Sequence, residues 1–342
     1  MKRYTTLLIA AFVFVVLTAI GTAYISGHAD NNLQKPERSL VVYTPLPPEH
    51  AAVLASEYEK QHRVRINFEP MPAQKILDRL LKEKKKPQAD MVLADREVME
   101  KAAEADIFAE YISESSDMVA DVFCGERDSW TGVWYDPIVF CVNSDYLKTL
   151  KHYPLGWAEI SRYPAMRLGI TDFLAADASA NLLFSLVKNY GREDTFSLLA
   201  EIHPKVVQYA KYLSTPVRMA GMNEVDLAVA VQSETMRYIS DGYPLKIIYP
   251  SEGTAYLLTG AGVLKDGEEG EPAREFADWL LSDEAQLVLQ KNKFFFMPTN
   301  PATLAYKTQA GKNIILFDEM PHFTDKQKHE MLDSWVKNIR LK

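Results

Sequence analysis

The sequence predicts an α/β protein of two lobes, each a mainly parallel sheet flanked by helices, joined by crossing strands. Three observations predict it. From residue 39 short apolar runs alternate with amphipathic stretches. A long apolar run holding a proline then interrupts the alternation at 132–143, and the alternation resumes after it. The 342 residues suit about two domains of roughly 150 residues each. With 47% hydrophobic and 25% charged residues, the chain has the balance of a folded globular protein.

The first thirty residues carry an export signal. Lys2 and Arg3 give a positive start, the stretch from Leu7 to Ile20 is almost wholly apolar, and no Asp, Glu, Lys or Arg follows Arg3 until Asp30. Residues 1–29 therefore read as a signal peptide, with Gly21/Ala23 or Gly27/Ala29 as the small-residue cleavage pair, or as an uncleaved membrane anchor. Both readings place the rest of the chain outside the cytoplasm, since the positive end stays inside. Residues 30–38 read as a polar linker.

The elements follow in order. SLVVY at 39–43 is a short apolar run suited to a buried strand, stopped by the three prolines of TPLPPEH. A helix follows from Glu49, with Leu54 and Tyr58 at i, i+4 spacing. VRINF at 64–68 is a second strand. Residues 72–85 form a second helix with Ile76, Leu77 and Leu80 on one face, and DMVL at 90–93 is a third strand. This β-α-β-α-β order implies a parallel sheet with helices on both faces. The run GVWYDPIVFCVN at 132–143 reads as a strand crossing between lobes, because Pro137 cannot donate into a central ladder. A strand at 168–170, a helix at 180–190, a strand at 225–231, a helix at 233–240 and a strand at 245–249 build the second lobe. Residues 255–264 form a second crossing. Helices at 271–290 and 324–339 complete the chain. The expected division is lobe one at 39–136 plus 256–342 and lobe two at 137–255.

Composition narrows the function. A net charge of −8 argues against a nucleic-acid-binding surface, which needs a basic patch to displace counterions. The two cysteines, Cys124 and Cys141, stand as free thiols or as a bridge that an extracytoplasmic location permits; spacing alone leaves both open. No zinc-ligand spacing joins them, and no nucleophile elbow, zincin or P-loop motif occurs. No cofactor, metal site or enzymatic activity is expected.

In an open α/β sheet a ligand lies beyond the carboxyl ends of the strands, where helix N-termini favour anions. Polar residues fall at several such ends: Thr44, Asp95 beside Arg96, Ser179 in TDFLAADASAN, and Thr215 with Arg218 in YLSTPVR. Arginine is the side chain best shaped for a carboxylate or phosphoryl group. Thr44, Asp95 and Ser179 are equally suited to cap helices, and Arg218 to a surface ion pair. Trp134 and Tyr135 alternate on a strand, so one faces the core and the other is free to line the cleft. Glu234, after VAV, suits a sugar hydroxyl or an amine, or a helix N-terminal charge.

The segments VVYTPLP, PQADMVLAD, WTGVWYDPIVFCVN, IIYPSEGT and EFADWLLSDEAQLVLQKNKFFFMPTNP, in this order, resemble the family 1 extracellular solute-binding proteins of ABC importers, over residues 39–342. The resemblance implies a type 2 periplasmic-binding fold, a ligand enclosed by lobe closure, a monomer, and ABC permease subunits as partners. A sensor kinase would be the partner if the chain is the sensing part of a regulatory system. In that case an uncleaved N-terminal segment would contact the membrane. The nearest branch resembles the ferric-iron-binding proteins and relatives that carry phosphorylated sugars or phosphonates. Iron-binding members use adjacent tyrosines, and no Tyr-Tyr pair occurs here. The resemblance therefore points to a small organic anion, with Thr44, Asp95, Tyr135, Ser179, Thr215, Arg218 and Glu234 as candidate contacts.

Overall fold

The computed structural model describes residues 38–309, 312, 314–317 and 322–342. The export segment falls outside them; among the described residues no helix is long and apolar enough to cross a membrane. The first unit runs β1 (Arg38–Thr44), α1 (Pro48–His62), β2 (Val64–Pro70), α2 (Ala73–Glu83), β3 (Met91–Asp95) and α3 (Arg96–Glu104). Pro48 occupies the first turn of α1, where its missing N–H costs nothing. Four consecutive residues of β3, Met91 to Ala94, are fully buried, as expected of a strand covered on both faces. β1 pairs in parallel with β2 and with β3.

After short helical turns, including α4 (Glu114–Asp117), the chain enters β4 (Thr131–Asn143), buried along its whole length. Its first half pairs antiparallel with β9 (Tyr256–Val263) and its second half with β7 (Leu227–Val231) and β8 (Leu245–Ile248). The change of partners falls between Pro137 and Ile138. Between these strands lie α5 (Ser144–Thr149), α6 (Trp157–Ile160), β5 (Leu168–Thr171), α7 (Asp177–Tyr190), α8 (Arg192–Ile202), β6 (Val206–Ala210), α9 (Ser214–Gly221) and α10 (Gln232–Ser240). β5 pairs in parallel with β6 and β7. The full path is β2-β1-β3-β9-β4-β7-β5-β6, with β8 and the two-residue β10 (Met297–Pro298) also on β4. β4 thus serves two sheets, and the α/β two-lobed architecture read from the sequence is the one observed.

Two main cores flank this junction. One joins Leu40, Tyr43, Leu54, Ile76 and Met99 to Phe276 and Leu280. The other joins Phe140, Trp157, Leu168, Leu183 and Val229 to Met331, Trp335 and Ile339. A smaller satellite packs α9 on Cys141 and Ala228. Three details depart from the sequence reading. The helix expected over 271–290 is two, α11 (Gly270–Leu280) and α12 (Asp283–Lys291), because Ser282 stops the first and caps the second. β9 stays in the first sheet and reaches the boundary at its start, where Ala255 O accepts the Ile138 N–H. A third connection runs at 314–317: Thr254 donates to Ile315 O and accepts from Phe317 N.

After α13 (Leu304–Gln309) comes α14 (Asp325–Trp335), started by a Thr324–Gln327 capping box and continued by a π turn at Val336–Arg340. Its Trp335 packs edge-on to Phe173 and Tyr209, in the second core. We therefore propose the lobe boundaries given above, with 325–342 transferred to lobe two. The cysteines are free. Cys124 bridges Thr131 at one end of β4, and Cys141 lies ten residues further along that strand. That is about 30 Å at strand rise, far beyond the ~7 Å a disulfide spans.

Candidate ligand-binding cleft

The carboxyl ends of β1 and β3 from one side, and of β5 and β7 from the other, meet where β4 and β9 cross. Each candidate residue has a definite place there. Thr44 is fully buried and spent on structure: its hydroxyl donates to Leu93 O at 2.7 Å and accepts the Leu46 N–H at 3.1 Å. Asp95 caps α3 by accepting the Val98 N–H at 3.1 Å. Burial raises its carboxyl above the ordinary range against the pull of that hydrogen bond, and Glu97 and Asp177 push the same way. Asp177 begins α7, whose Asn181 donates to Tyr256 O at 3.2 Å while Arg96 of α3 lies over the Tyr256 ring, so the two helices approach one another at β9. Ser179 is a first-turn residue of α7, not its cap; its hydroxyl is held by Asp172 O and Ala176 O. The residue before α7 is Ala176, which offers no side-chain cap.

Trp134 and Tyr135 are both buried in the first core. Trp134 stacks on Phe296 in the first core. Tyr135 stacks on Phe123 at 5.2 Å and meets Tyr256 edge-on at 5.8 Å. Burial raises its phenol, and Tyr306, Tyr249 and Tyr256 act on it in turn. Tyrosines from β4, β9, the loop after β8 and α13 therefore gather at the crossing. Glu234 lies in the first turn of α10 and binds Arg237 at 2.5 Å; burial nevertheless raises its carboxyl.

Thr215 and Arg218 belong to a different helix. Both lie on α9, whose Ala220 carbonyl accepts from Asn143 Nδ2. Asn143 ends β4 six residues beyond Pro137, about 20 Å from the crossing at strand rise. Arg218 pairs with Glu224 at 3.2 Å on the half-exposed last turn of α9, and the Thr215 N–H is held by Tyr212 O. α9 packs Val217, Met219 and Ala220 on Cys141 and Ala228, and its Pro216 lies over Gly169 of β5.

Arg96 takes the place intended for Arg218. It opens α3 at the carboxyl end of β3, with its guanidinium 6.0 Å from the Tyr256 ring and 5.9 Å from Trp130. One terminal nitrogen donates to Val122 O and the other lies 3.7 Å from Glu100. Its Nε is buried and, among the described residues, has no hydrogen-bond partner. Asp136 is the other residue the candidates omitted. It sits just before the change of β4 partners, accepting the Ser233 N–H at 2.9 Å and the Ser233 hydroxyl at 2.5 Å. Tyr249 donates to Gln232 Oε1 at 2.6 Å beside it. The sequence signal was an acid inside the apolar run WYDPIVF, immediately before the proline. Among the described residues no group of three or more His, Cys, Asp and Glu side chains is arranged to hold a metal ion.

The sequence model of the bacterial extracellular solute-binding protein family matches residues 41–294. An uncharacterized protein of Haemophilus influenzae is 26% identical over 346 residues, covering 97% of this chain and 98% of that protein. Among solved structures, the periplasmic binding protein AfuA of Actinobacillus pleuropneumoniae, with fructose-6-phosphate bound, superposes with a TM-score of 0.69 at 22% identity. It covers 90% of this chain and 100% of its own. Iron-bound HitA of Pseudomonas aeruginosa gives 0.71 at 16% identity, over 86% of this chain and 98% of its own. At these identities the structures establish the shared fold of type 2 periplasmic binding proteins.

Proposed function

This chain belongs to the bacterial extracellular solute-binding proteins, and we propose on that premise that it captures a small organic anion, a phosphate ester or phosphonate, for an ABC importer. The observation that carries the ligand class is Arg96, a cleft arginine with a buried Nε that has no partner among the described residues. A charge-assisted bond to phosphoryl oxygen would satisfy it. Closure about the crossing strands brings the two half-sites onto the ligand, and the tyrosines flank its organic part. The ligand bound by AfuA belongs to the same class. Capture without chemical conversion fits a site that holds and releases its solute unchanged, working on the outer face of the cytoplasmic membrane.

A thermal-shift screen over organic phosphates, phosphonates, carboxylates and ferric iron tests the reading. A ligand at 100 times its Kd adds about 2.7 kcal/mol of stability. A shift with ferric iron alone would overturn it. That second reading has one observation in its favour, the gathered tyrosines. Against it, burial holds Tyr135 well above the usual phenol range and pushes Tyr249 up to about 12. Phenolate ligation would thus have to expel protons, and iron binding would strengthen steeply with pH. Delivery and sensing are separated by the partner: stimulation of a permease's ATPase supports import, and stimulation of a sensor kinase supports sensing.

A further inference from the structure

α10 starts at the second-lobe wall of the cleft, and the N–H groups of a first helical turn ordinarily draw an anion. Here that place is already filled. Val231, the residue before the helix, gives no side-chain cap. The carboxylate that serves α10 comes from 97 residues earlier: Asp136, 5% exposed, receives both the Ser233 N–H and the Ser233 hydroxyl. Glu234 places a second carboxylate in the same turn, and the cation there, Arg237, is spent on it. The remaining polar neighbours of Asp136 are Gln232 and, from the loop after β8, Tyr249. Burial first, and the field of Glu234 after it, push the Asp136 carboxyl up to about 7 against the pull of the Ser233 bonds.

We propose that Asp136 is a specificity-determining residue. In its ionised form it fills the start of α10 with a negative charge, so the ligand's own anionic group is kept from that helix end and an uncharged, hydroxyl-bearing part lies there instead. The proposal rests on the organic-anion reading and adds an orientation to it. The phosphoryl group lies toward Arg96, and hydroxyl donors lie toward Glu234 and Asp136. It follows that the cleft discriminates against inorganic phosphate, which has no uncharged portion to present.

Calorimetry at pH 8 with fructose 6-phosphate and inorganic phosphate as probes tests this. The unsubstituted protein prefers the ester. Asp136→Asn keeps an oxygen acceptor for the Ser233 N–H and removes the charge, so it raises inorganic phosphate affinity relative to the ester by about tenfold. A residue that only caps α10 would weaken both probes together and leave the ratio alone, and that result overturns the proposal. Glu234→Gln moves the ratio the same way by about threefold, and it decides the matter if Asp136→Asn does not fold. Ester binding with an unchanged ratio removes the role of Asp136 and leaves the organic-anion reading standing. Failure of both probes to bind any of these proteins removes both.

Discussion

Arg96 and Arg218 were legible in the sequence as the same kind of residue, a cation after a strand, and the fold separates them. The Arg96 Nε is buried without a hydrogen-bond partner among the described residues, whereas Arg218 is satisfied by Glu224 in solvent. Arg96→Ala is expected to weaken phosphate-ester binding by about 1.5–3 kcal/mol, the worth of a charge-assisted hydrogen bond. Arg218→Ala is expected to leave calorimetric affinity unchanged; equal losses in the two variants would reject the assignment. Asp136 makes a second prediction, in stability. Its folded carboxyl titrates near 7, above the ordinary carboxyl value of 3.8. Below both values each state holds the proton and no penalty exists. Between them the unfolded chain has released its proton while the folded one keeps it, so stability falls as pH rises through that window. Melting curves from pH 5 to 8 should show Asp136→Asn gaining on the parent as pH rises. A constant gap would mean that Asp136 is ionised throughout.

At the scale of elements, the sequence was readable wherever burial imposed a period. β1, β2, β3 and β4 were placed within a few residues because buried strands demand continuous or alternating apolar side chains. The segment α8–β6–α9 was missed for the opposite reason. β6 is an edge strand with a neighbour on one side, β5, and Val207 faces solvent, so its pattern carries little signal. The C-terminal helix shows the other limit. Its amphipathic face is plain, but which lobe it covers is a matter of tertiary packing. Trp335→Ala should cost about 3–5 kcal/mol, as for other buried aromatics. Hydrogen exchange should localise the loss to α7 and β5, against which its neighbour Phe173 packs. Loosening confined to the first-lobe strands would contradict the reassignment of 325–342.

Across the whole molecule, α14 is rooted in the second core yet reaches the first. Lys328 binds Glu97 of α3 at 2.7 Å, and Asp325 approaches Lys101 at 3.9 Å. Elsewhere Lys293, following α12, pairs with Asp241, following α10. On the lobe boundaries proposed above, each of these pairs joins one lobe to the other. Each rim pair contributes at most about 1 kcal/mol and is screened by salt. Fluorescence energy transfer between dyes on the two lobes should report wider separation in Glu97→Gln than in the parent at low salt. The difference should vanish by about 0.5 M, where the Debye length falls to a few ångström. A separation that ignores both the substitution and the salt would show that the pairs do not govern closure.

The sequence by itself determined the two-lobed α/β order, the crossing at Pro137 and the family. These follow from local demands: which residues must be buried, where a proline can stand, and the order of apolar runs. Only the tertiary structure decided which polar residues meet. Thr44, Asp95 and Ser179 sit at the predicted strand ends but are bound into the backbone, Thr215 and Arg218 lie on a helix packed against β5 and β7, and Tyr135 and Glu234 remain at the junction. Arg96 and Asp136 come to the junction because β3 and β4 both pair with β9, one on each side of it. That adjacency depends on strand order, and residues distant in sequence are paired by a choice of neighbours that local periodicity does not encode.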